Sequence, residues 1–144
     1  MGDKELISFL YENVSMGLEA LESLSKLLEK TDNKIKEHVY NTKIKYKEFI
    51  KSCEKSVKKL KIDKPKNNLV GTMMTKMGTK MEFMRDNSDT KIAETLIQGY
   101  NMGIIDITKK INQYEKHASR GVLKLAEQYK KMMQGKIEEI KGFL

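Results

Sequence analysis

The sequence predicts an all-α domain, a bundle of four long amphipathic helices with a fifth helical segment carrying the crossover between the second and third. Three observations carry that prediction. Apolar residues recur at alternating steps of three and four through most of the chain, a spacing that lines one face of a helix and never one face of a strand. Lys, Glu, Leu, Ile and Met dominate, with one proline and no tryptophan, a composition that favours helices. The helical stretches fall into two pairs with very short internal links, and a long connection with its own helix separates the pairs, which is the organisation of a bundle with one crossover. At 144 residues the chain can bury one sizeable core without disulfides or metals, so a single domain over 1–144 is expected.

The first helix is expected over residues 3–30. Ile7, Leu10, Val14, Gly17, Leu21, Leu24 and Leu28 form its inward face, and Glu5, Glu12, Glu19, Glu22 and Glu29 fall opposite. Thr31-Asp32-Asn33 supplies a turn and N-cap chemistry for the second helix, residues 34–61, which buries Ile35, Val39, Thr42, Tyr46, Phe49, Cys53, Val57 and Leu60. Ile62-Asp63-Lys64-Pro65 breaks the pattern. Asn67 or Asn68 then caps a crossover helix over 68–85, where Met73, Met74, Met77, Met81 and Met84 make an apolar stripe suited to covering the bundle, gripping a second subunit or closing over a hydrophobic ligand. Asp86-Asn87-Ser88-Asp89 ends that segment and caps a helix over 90–113, with Ala93, Ile97, Tyr100, Ile104, Ile107 and Ile111 inward and Gly99 and Gly103 forming a small-residue groove for helix packing. The last helix is expected over 115–143, burying Ala118, Val122, Leu125, Ala126, Tyr129, Met133, Ile137 and Ile140.

Charge is distributed unevenly. Residues 1–33 carry 3 Lys against 7 acids, whereas residues 34–66 carry 12 Lys against 4. Within the second helix Lys43, Lys47, Lys51, Lys55 and Lys58 recur at steps of four or three as a basic ridge. Part of this asymmetry serves pairing with the acidic first helix, and a solvated face is the plain reading of the rest. The functional alternative is non-specific binding to nucleic acid or an anionic membrane surface. Only Arg85 and Arg120 are arginine, and no row of aromatics accompanies the lysines, which argues against sequence-specific nucleic-acid recognition. The single Cys53, the absence of a leader pattern and the shortness of every apolar run place the chain, as an expectation, in a reducing cytoplasm and not across a membrane.

With its opening Glu5-Leu6-Ile7, Gly17 further along that helix and Gly71 in the crossover, the chain resembles the ferritin-like superfamily and, more narrowly, an uncharacterised bacterial branch of it. The resemblance covers nearly the whole chain in layout and little of it in identities. Ferritin-like enzymes hold two metal ions with a Glu from each of two helices and a Glu-x-x-His from each of the others. Neither Glu-x-x-His is present here: Ile35 stands three residues before His38, and Tyr114 three before His117. Both histidines therefore read as exposed or half-buried residues without a ligand role, and no metal or cofactor is expected.

Aligning the helix midpoints brings Gly17, Tyr46, Tyr100 and Tyr129 to one central layer, where the resemblance implies that relatives keep their metals. Buried phenols need hydrogen-bond partners, so this layer forms a tyrosine network, a small cavity opposite Gly17 for a polar ligand, or separately satisfied hydroxyls. The sequence thus points to a non-enzymatic ferritin-like bundle acting as a binding or protein-interaction module, with a small molecule, a protein or a second copy as partner. A metal-dependent oxidase or iron-handling protein with unconventional ligands, and a binder of anionic surfaces, are the alternatives.

Overall fold

The computed structural model describes residues 2–63 and 86–144 as four long helices and their links. They are α1, Gly2–Leu28; α2, Lys36–Lys59; α3, Asp89–Tyr114; and α4, Arg120–Ile140, followed by one 3-10 turn, Lys141–Phe143. The expected crossover helix over 68–85, its methionine stripe and Gly71 lie outside the described residues.

Contacts at the helix ends set the direction of each element. Asp89, which opens α3, bonds to Asn33, Lys34 and Ile35 at the start of α2, so the two helices begin at the same end. Ser119, before α4, bonds through its backbone amide to Asp3 at the start of α1. Thr90 donates to the Phe143 carbonyl at 2.8 Å, which returns the end of α4 to the start of α3. The order is therefore up, down, down, up. α1 packs on α2, α3 on α4, α1 on α3 and α2 on α4, so every adjacent pair is antiparallel. Across one diagonal α1 touches α4. Across the other, among the described residues, no backbone contact joins α2 to α3, and side chains fill the gap.

The seams follow the expected spacing. Leu6, Ile7, Leu10, Val14, Leu21 and Leu28 of α1 meet Val39, Tyr46, Cys53 and Val57 of α2, with Ile92, Ala93, Leu96, Tyr100, Ile107 and Ile111 from α3 and Val122, Ala126, Tyr129, Met133 and Ile140 from α4. Fully burying each aliphatic side chain of this kind contributes roughly 1.5–3 kcal/mol, which is why the heptad-like spacing dictates the architecture. Leu24, Phe49, Leu60, Ile97, Ile104, Ala118, Leu125 and Ile137 pack against this core while remaining half-buried. Glu12 and Glu19 of α1 are also half-buried, whereas Glu5, Glu22 and Glu29 are exposed, so the acidic face of α1 is less uniformly solvated than its spacing suggests.

Two boundaries differ from the sequence expectation, and capping explains both. α4 starts at Arg120, not at 115. The Tyr114 carbonyl accepts from the amides of His117 and Ala118 at 2.9 and 2.8 Å, closing a turn, and the Ser119 hydroxyl then accepts from Val122 to start the new helix. Gly2 makes room for this turn, since a Cβ there would lie 2.8 Å from the Ala118 backbone nitrogen. At α2, neither Asp32 nor Asn33 acts as the N-cap. The carboxylate of Asp89 accepts from Lys34 and Ile35 amides at 3.2 and 3.4 Å and from the Asn33 side chain at 3.0 Å, so the cap is lent by another helix. Burial opposes ionisation of Asp89, and these donors outweigh it, holding its pKa below the ordinary carboxylate value. Asp89→Ala is expected to cost about 0.5–2 kcal/mol in urea denaturation, and Asp89→Asn less, because its carbonyl still accepts.

Candidate functional site

The interior of the bundle is polar. Four apolar seams converge there, yet each helix contributes a hydrogen-bonding side chain: near mid-helix Asn13 from α1, Tyr46 from α2, Tyr100 from α3 and Tyr129 from α4, with His38 and Thr42 in the first two turns of α2, all buried. No buried side-chain nitrogen or oxygen among the described residues lacks a partner. Such a layer holds together only when fully satisfied, because each orphaned group costs about 1–3 kcal/mol.

Two chains of hydrogen bonds satisfy these groups, the first running from Tyr100 toward the end of the bundle where α2 begins and α4 stops. In the first, His38 Nδ1 lies 3.1 Å from Glu139 Oε1 of α4, and Nε2 lies 2.9 Å from the Tyr100 hydroxyl. A carboxylate only accepts, so Nδ1 carries the proton and Nε2 of the neutral ring accepts from Tyr100. Thr42 Oγ1 sits 3.4 Å from Nε2. Burial pushes the His38 pKa below its ordinary 6.5, and the hydrogen bond and charge of Glu139 only partly offset this. Glu139 itself is 48 % exposed and also meets Lys136 at 3.2 Å. Burial works against its ionisation, but bonds from His38 and Lys136 hold its pKa below the usual glutamate value.

In the second chain the Tyr129 hydroxyl donates to Asn13 Oδ1 at 2.7 Å, while the Tyr46 hydroxyl bonds to that of Tyr129. The Tyr129 ring is held edge-on by Tyr46 at 5.7 Å and Phe49 at 5.5 Å between centroids. Desolvation raises the pKa of Tyr46, Tyr100 and Tyr129 well above 10. A folded state that keeps these phenols neutral loses stability as pH climbs past 10, so they should ionise together with alkaline unfolding. In an ultraviolet titration, Tyr129→Phe is expected to shrink that late phenolate step by one tyrosine.

A cleft of about 40 Å³ enters this layer between α1 and α3. Gly17, Tyr46, Tyr100 and Tyr129 line it together with Asn13, Leu96 and Met133. Glycine makes the space. A methyl on Gly17 would run into the Tyr46 ring, and one on Gly103 would lie 2.7 Å from Met133 Sδ and 3.6 Å from Asn13 Oδ1. Met16, Gly99, Met102 and Asp106 also line it, with Met102 and Asp106 exposed.

Comparison with known protein families, curated proteins and solved structures finds no match. The site must therefore be read from its own geometry. Among the described residues no three His, Cys, Asp or Glu side chains are grouped to hold a metal ion. Cys53 is buried, and burial pushes its thiol up to about 12, which removes the thiolate on which cysteine chemistry depends.

The structure places the four centrally aligned residues around one cleft, and none of Lys43, Lys47, Lys51, Lys55 and Lys58, which are exposed or half-exposed on α2, lines it. It corrects the reading of His38, which is 5 % exposed and fully engaged; His117 is exposed. Asn13 was missed as well. Both fall within the apolar arc of their helices, Asn13 beside Val14 and His38 beside Val39 and four residues before Thr42, and that position was the available signal. Their partners on other helices lie 62 to 116 residues away, which local spacing does not reveal.

Proposed function

We propose that this chain is a ferritin-like bundle in which a hydrogen-bonded tyrosine layer stands where relatives hold metals, and that it works as a non-enzymatic binding module in a bacterial-type cytoplasm. The observation that supports the reading is the cleft over Gly17, Tyr46, Tyr100 and Tyr129. The up, down, down, up helix order is consistent with the ferritin-like assignment.

The size of the cleft defines the kind of ligand. Enclosed sites for whole small molecules run to about 300–1,000 Å³, whereas about 10–15 Å³ open to a water's centre is enough to hold one water. A space of about 40 Å³ therefore accepts a few waters or the tip of a side chain, and the module grips a partner's projecting group. Met16 and Met102 supply adaptable apolar lining for it, and Asn13 and the phenols supply polar partners within. A second copy of the chain is one candidate partner.

Ethanol, with one methyl and one hydroxyl, is a probe of the right size. Its titration should move the methyl signals of Met16, Met102 and Met133 among the ten methionines, and a uniform or absent response would sink the cleft as a site. Native mass spectrometry of freshly purified protein addresses the wider reading. A bound organic molecule or a dimer supports the module, whereas two tightly held transition-metal ions would return the chain to the metal-dependent class.

A further inference from the structure

The outer face of α2 takes no part in the core or the cleft. Lys47, Lys51, Lys55 and Lys58 are exposed there, with Lys43 half-exposed at their edge. Tyr40 and Ile44 stand one turn apart on the same side of the helix, 55 % and 39 % exposed. The Lys43 ammonium sits 5.1 Å from the centroid of the Tyr40 ring. From Tyr40 to Lys58 the strip runs about 27 Å along one rigid helix. Acids share it: Glu37 and Glu54 lie within the same arc of the helix, and Glu48, at its edge, pairs at 3.5 Å with Lys45 to one side of the ridge. The lysines outnumber them.

We propose that this face docks the bundle onto an anionic lipid surface, with the lysines over the headgroups and Tyr40 and Ile44 seated at the boundary between headgroups and acyl chains. Charge complementarity names the sign of the partner, and the two exposed apolar side chains decide its class. A fluid array of headgroups suits lysine, a point charge on a flexible stem, and receives Tyr and Ile at its interface. A nucleic-acid backbone would satisfy the lysines equally well but leaves Ile44 in water. No helix among the described residues is long and apolar enough to cross a membrane, so the contact proposed is with the surface alone.

The test uses the whole chain, sedimented at low salt with phosphatidylcholine vesicles, with and without about a third of phosphatidylserine, and separately retained on duplex DNA. Binding is expected to the charged vesicles only, to fade as salt shortens the reach of the charges, and to weaken roughly fivefold per lysine removed. Combined Lys47→Glu, Lys51→Glu and Lys55→Glu should abolish it without changing the circular dichroism or melting of the protein. Tyr40→Ser with Ile44→Ser should weaken vesicle binding about tenfold and leave any retention on DNA unchanged. Failure to sediment with charged vesicles overturns the proposal. So does a Tyr40 and Ile44 double variant that binds as tightly as the parent, or tighter retention on DNA than on vesicles. None of these results bears on the cleft.

Discussion

Gly17→Val is expected to lower the stability of the protein by about 2–3 kcal/mol in chemical denaturation and to collapse the central cleft. The backbone of α1 passes so close to the Tyr46 ring that even a methyl would overlap it. That ring is not free to withdraw, because it stacks edge-on against Tyr129 and its hydroxyl is bonded within the layer. Helix propensity pulls the other way, since replacing a mid-helix glycine gains up to about 1 kcal/mol. Gly135→Ala isolates that opposing effect: in α4 an added Cβ meets nothing within 4 Å, and a gain of about 0.5–1 kcal/mol is expected. If both variants stabilise the chain, the tight approach of Tyr46 to α1 is wrong.

His38→Leu is expected to cost about 1–3 kcal/mol near neutral pH, chiefly because the buried Tyr100 hydroxyl loses its acceptor. Glu139, half exposed, returns to water at little cost. The difference from the parent should shrink on acidification. His38 has a lower pKa folded than unfolded, so below 6.5 the unfolded chain binds the proton first and the parent loses stability as pH falls. Its contribution is complete above 6.5, and the leucine variant lacks that slope. Glu139 and Asp89, with pKa values held below those of free carboxylates, add their own loss only at lower pH, under 4.5 and 3.8 respectively. Denaturant midpoints measured from pH 8 to 5 in both proteins check this, and parallel curves would show that His38 is not held neutral by burial.

The helices were legible because burial of aliphatic side chains sets their period, and that period is written residue by residue along α1 to α4. Ser88 was legible for the same reason, since a cap and the amide it receives lie three residues apart. What local pattern hid was the long-range polar chemistry. Asp89 was expected to serve its own helix and instead also serves α2, and the turn before Ser119 depends on contacts with Gly2 and Asp3 at the far end of the sequence. The tyrosines could be aligned by counting residues, but the imidazole and the amide that complete their layer could not, because a polar side chain on a seam reads as solvated until its partner is known. The cleft follows from Gly17 and Gly103, whose meaning lies in what approaches them.

One consequence reaches beyond stability. The first two helices look like a self-sufficient hairpin, yet the amides that begin α2 are satisfied by a carboxylate that arrives only with the second half of the molecule. A fragment cut after residue 63 would therefore fray where the intact chain is firm, and adding back residues 86–144 should slow deuterium uptake at Lys34 and Ile35, making two severed pieces recognise each other by mending a helix start.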